Sequence, residues 1–131
     1  MTKILVALFL LAHAGIHASF VSPRPAQTAG GPAWPFDLAH SWLLTPLGMA
    51  PDLTRVLGLA LLAVTVGAFA LAALAALGIT PASLWTPAII VGAAASIGLL
   101  GAFFHPWLVL GIVIDVALVW LVSVGRWQPA V

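Results

Sequence analysis

Of the 131 residues, 63% are hydrophobic and 5% charged, and the formal net charge is +1. Soluble domains carry about a quarter charged residues, so one Lys, three Arg and three Asp cannot solvate a globular surface, and the apolar surplus must face lipid. The near-neutral balance excludes a basic surface for nucleic acid, and the lack of cysteine excludes disulfides, thiolate metal sites and dithiol chemistry.

The expected fold is all-α: a polytopic membrane protein with one transmembrane domain, residues 1–131, forming a four-transmembrane-helix bundle with a short interfacial helix in loop one. A spanning helix needs roughly 20 predominantly apolar residues. The first such run covers residues 4–21. Lys3, the apolar run that follows it, and Ala12-His13-Ala14 imitate a signal peptide. His13 and His17 at its far end suit a retained helix better than a discarded one.

Residues 22–35 hold four prolines and the pair Gly30-Gly31, which read as loop. Asp37 then has the character of an N-cap, opening a short helix through Leu44 whose Leu38, Trp42 and Leu43 suit a membrane interface. Pro46 and Pro51 end it, and Asp52 reads as the cap of the second span, residues 56–77. Loop two, from Gly78 to Pro87, holds three chain breakers, and the third span covers residues 88–104.

The fourth span covers residues 107–124. As one helix, 88–124 would be ~55 Å long, too long for a bilayer. His105-Pro106 supplies the break, because proline suits the first turn of a new helix and disfavours helix just before itself. Tryptophans gather at membrane surfaces. Trp34, Trp42 and Trp107 fall on the side of loops one and three, Trp85 and Trp127 on the side of the termini, and Trp120 a turn inside. Lys3 and Arg126 on one side balance Arg24 and Arg55 on the other, so the basic residues set no orientation. The working expectation is a bacterial cytoplasmic membrane with both termini in the cytoplasm. Small residues on the second and third spans, Ala94, Gly98 and Ala102 among them, suit close helix packing within one bundle or between copies in a homo-oligomer or larger membrane complex.

The candidate site residues are His13, His17, Asp115, His105, His40 and Arg55. His13 and His17 are four apart and share a helix face. His13 lies ~12 Å from the helix exit and Asp115 ~13 Å from Pro106 at about 1.5 Å rise per residue, so both sit at one depth. His40 and His105 fall on the same side, Arg55 can reach inward from the second span, and Gly15 and Gly111 leave space nearby. Burying Asp115 costs about 2.5–3.5 kcal/mol at a helix centre, which demands a partner. His13, His17 and Asp115 are the expected ligands of a divalent metal; haem and a proton relay are the other chemistries. The bland alternative is that the histidines only fix helix register. A metalloprotease is excluded, since Ala14 stands where a catalytic Glu follows the first histidine.

Three stretches, His13-Ala14-Gly15-Ile16-His17, Ser41 to Gly48 (SWLLTPLG) and His105 to Gly111 (HPWLVLG), carry a resemblance. The chain resembles a loose group of small bacterial four-helix membrane proteins with a His-x-Gly-x-His stretch in the first span and no known activity. The resemblance implies only that these stretches belong together. The functional expectation is a non-enzymatic binding, transport or accessory module. A membrane enzyme using His and Asp, and a structural self-associating protein, are the alternatives.

Overall fold

A computed structural model describes residues 1–22, 30, 34–124 and 127. It is all-α, and its four helices are α1 (Thr2–Ala18), α2 (Pro51–Ala76), α3 (Trp85–Ala102) and α4 (Val109–Ser123). Short 3₁₀ turns extend α1 to Val21 and precede α3 and α4 from Ala82 and Pro106. All four are long and apolar enough to cross a membrane, consistent with a membrane location. Arg24 and Arg126 lie outside the described residues.

Local chemistry shifts the expected helix bounds. Helix α2 starts at Pro51, with Ala50 as its N-cap. Pro51 occupies the first turn, where no N–H is required, and Asp52 sits inside that turn instead of capping it, next to the positive helix end. Its other end closes on Gly78 at φ +76°, where Ile79 N–H reaches Leu74 O and Gly78 N–H reaches Ala75 O. This pairing satisfies the last carbonyls and needs a left-handed residue. Helix α3 begins before Pro87, again because proline costs nothing in a first turn.

The interfacial helix expected from Asp37 to Leu44 does not form; residues 42–48 are a chain of turns. The reason is Ser41. Its hydroxyl accepts the N–H groups of Leu43 and Leu44 and donates to Ala102 O at the end of α3. Side-chain bonds of this kind replace a helical ladder. Pro46 has no donor to offer, and Gly48 at φ +79° turns the chain back, with Met49 N–H bonded to Leu44 O. Trp42 Nε1–H donates to Gly101 O at 2.7 Å, so loop one caps the last turn of α3.

Neighbouring helices pack in chain order, α1 on α2, α2 on α3 and α3 on α4, while the backbones of α1 and α4 barely approach. Small residues make the α2/α3 contact dense. A Cβ on Gly92 would stand 3.1 Å from the Phe69 ring. Ala72, Ala73, Ala76, Ile89 and Ala93 are buried around it. The buried stripe of α3 therefore runs through Ile89, Gly92, Ala93 and Ser96, whereas Ala94 and Gly98 of the expected stripe face outward. Trp85 is also reassigned. It is 2% exposed, packs edge-on against Trp127 and donates to its carbonyl, so it is a core residue and not part of a lipid-facing belt.

Candidate metal centre

Helix α1 carries His13 and His17 one turn apart on its buried face. Helix α4 carries Asp115 on the face toward α3, buried with Leu118 and Val122. The two helices are thus joined near mid-span by a polar contact. His13 Nε2–H donates to Asp115 Oδ1 at 2.9 Å. Ser96 of α3 completes the group: its hydroxyl donates to Asp115 Oδ2 and stands 3.0 Å from His17 Nε2. His17 Nε2 lies 3.3 Å from His13 Nε2, which closes a ring of four side chains. All four are buried, and Ser96 and Asp115 have no solvent exposure. Phe69 of α2 walls the ring, its own ring centre 5.1 Å from that of His13 and 6.4 Å from that of His17.

Counting hydrogens exposes a tension. Ser96 spends its one hydrogen on Asp115, so it accepts from His17 Nε2–H. His13 spends its Nε2–H on Asp115. With Asp115 as a carboxylate, both imidazoles then carry hydrogen on Nε2, and neither has a lone pair for the other across 3.3 Å. A cation that takes the place of those hydrogens removes the conflict.

The distances suit that exchange. Zinc–nitrogen bonds of about 2.0–2.1 Å in a tetrahedron put ligand atoms about 3.3–3.4 Å apart. The two Nε2 atoms already stand at 3.3 Å. Ligand atoms from His13, His17 and Asp115 all lie within 4.8 Å of one another. The His13–Asp115 separation of 2.9 Å must widen by a few tenths of an ångström. Two imidazoles and a carboxylate are a borderline donor set, suited to zinc or ferrous iron, with room left for a further ligand.

The same geometry weighs against other chemistry. A porphyrin cannot pass between nitrogens 3.3 Å apart, so this pair does not suit axial ligation of haem. A hydrolytic triad needs its acid on the histidine Nδ1 opposite the serine. Here Ser96 bonds the carboxylate directly, and His17 Nδ1 is buried with no hydrogen-bond partner among the described residues.

The remaining candidates lie elsewhere. His40 is exposed and bonds Asp37 at 3.1 Å through Nδ1. With Arg55 they line a separate cavity of about 380 Å³ at loop one, so Arg55 does not reach the ring. His105 is a turn residue whose Nδ1 accepts Trp107 N–H at 3.2 Å. Gly15 faces open space, and the room beside Gly111 is filled by Leu100, 2.8 Å from where a Cβ would stand. Ser96 and Phe69 are not among the residues the sequence points to. The signal for Ser96 was a lone hydroxyl in the middle of an otherwise apolar span; Phe69 carried none.

Comparison with models of protein families, with curated proteins and with solved structures gives no match to this chain.

Proposed function

We propose that the protein is a membrane-embedded module that binds a divalent transition-metal ion through His13, His17 and Asp115, in a transport or accessory role. The observation that carries this reading is the 3.3 Å approach of two Nε2 atoms beside a buried carboxylate. A buried acid in a spanning helix is expensive and normally marks an ion or proton pathway. Ser96 acts as the outer partner that orients Asp115, the usual arrangement around ligating carboxylates.

The test is zinc and cobalt titration of chelator-stripped protein in detergent. One ion per chain is expected, with the visible absorption of tetrahedral cobalt. Asp115→Asn and His17→Gln should each weaken uptake about 10–100-fold, while His40→Gln and His105→Gln should leave it unchanged. Protein that takes up no ion, or an Asp115→Asn variant that binds as tightly as the parent, overturns the reading.

The hydrogen-bonded chain from His13 through Asp115 and Ser96 to His17 favours a second reading, a proton-handling site. Metal-free protein in liposomes would then pass protons, and Asp115→Asn would stop them.

A further inference from the structure

Two cavities meet at one pair of aromatic rings. The cavity at loop one, of about 380 Å³, carries Asp37, His40 and Arg55 in its wall. His40 and Arg55 are exposed, so this cavity is open to water. It has room for on the order of ten water molecules and polar groups to hold them. A smaller cavity, of about 140 Å³, lies between α1 and α4 and reaches His13 and His17 of the metal centre. The rest of its wall is apolar, apart from the indole of Trp107.

Among the described residues, Phe20 and Phe36 alone line both cavities. Their rings meet edge to face, with centres 5.1 Å apart. Phe20 belongs to the 3₁₀ turn that ends α1 and is buried. Phe36 is only partly buried and lies in non-helical chain. The pair is a partition between the polar cavity and the one at the metal centre. Other approaches are poorer. The cavity of about 270 Å³ near the termini, lined by Leu5, Phe9 and Leu121 among others, touches none of His13, His17 and Asp115 and has no charged side chain. Ile16 and Leu110 of the inner cavity are exposed and face lipid in a bilayer, and an ion does not arrive from hydrocarbon, because leaving water is too costly for a bare charge.

We infer that the metal centre is served from the loop-one face alone. A hydrated divalent cation enters the polar cavity, and the Phe20–Phe36 pair is the gate it passes to reach His13 and His17. An apolar constriction excludes water while closed and so holds an ion back. Asp37 and Arg55 balance in charge, so the outer cavity admits the hydrate without acting as a second metal site. Phe36 is the moving half. Its segment lacks a helical ladder, and the next firm anchor is Ser41 on the end of α3. This route rests on the metal reading and adds the face from which the ion comes and the step that limits it.

A gate changes rates and leaves the equilibrium alone. Zinc-loaded protein mixed with excess chelator should release its ion about tenfold faster in Phe36→Ala, the barrier falling by the worth of an aromatic pair, with zinc affinity unaltered. Leu5→Ala, in the cavity near the termini, should leave the rate unchanged. A second arm needs no metal. The chain has no cysteine, so Ile114→Cys places a single thiol in the inner cavity. In liposomes a small, membrane-impermeant cationic methanethiosulfonate should modify that thiol about tenfold faster once Phe36→Ala is added, and no faster with Leu5→Ala. A rate that Phe36→Ala leaves unaltered in either arm, or that Leu5→Ala raises as much, overturns the inference. Zinc bound and released without regard to Phe36 sinks the gate alone. Thiol modification governed by Phe36 in protein that takes up no zinc sinks the metal reading and leaves the gate standing.

Discussion

Two seams of this bundle are built on opposite principles. Between α2 and α3, small residues let the backbones close together, and the Phe69 ring packs directly on Gly92. Between α1 and α4, the backbones stay apart, cavities remain, and the link is a hydrogen-bonded acid and histidine. Lipid tails are as apolar as leucine, so membrane helices gain by dense packing and by interhelical polar bonds, and hydrophobicity alone does not pull them together. The first seam uses packing. The second uses polar bonds, with His13 and Asp115 as the link.

The largest expected effect comes from breaking the dense seam. Gly92→Leu drives a side chain into Phe69 and Ala68. Overpacking of this kind costs about 1–3 kcal/mol. Thermal unfolding in detergent should fall accordingly, and the displaced Phe69 should disturb the histidines it walls. If stability is unchanged, the contrast between the seams fails.

Asp115→Asn should do much less to the fold. Polar contacts between membrane helices are worth about 0.6 kcal/mol on average and ~1.7 at most. The expected outcome is a small drop in the unfolding midpoint together with lost zinc uptake. A collapse as deep as that of Gly92→Leu would make the ring a structural staple.

The smallest effect on the monomer is expected from Gly98→Leu. Gly98 is exposed, and a Cβ there meets only Leu61, at 3.8 Å. Stability should move by less than about 0.5 kcal/mol. Analytical ultracentrifugation decides whether the outward stripe of Ala94 and Gly98 joins copies: a shift to smaller species supports self-association, and an unaltered profile removes it.

Much of the site was legible in the sequence, though not all for the same reason. Depth along a helix follows from residue count, so His13 and Asp115 fall at one level before any packing is known. The i,i+4 spacing puts His17 on the same face as His13. Ser96 was not legible, because a single serine in a span gives no sign of which neighbour it will face. His40, His105 and Arg55 share the right membrane side, yet local bonds hold the two histidines, to Asp37 and to the Trp107 amide, and the α2 helix face turns Arg55 toward loop one. The turns of loop one were hidden too, since Ser41 gives up helix only because the end of α3 lies within its reach.

What the sequence by itself determined is the number of helices long and apolar enough to span and the level of His13 and Asp115 along them, because hydropathy and helical rise act along one dimension. Only the tertiary structure decided which faces meet. Rotation of each helix about its axis is set by side-chain volume, by Gly92 against Phe69 and Gly111 against Leu100, and these contacts join residues far apart in the chain. That rotation turns two histidines, a serine and an acid toward one point, and it leaves the seam beside them open.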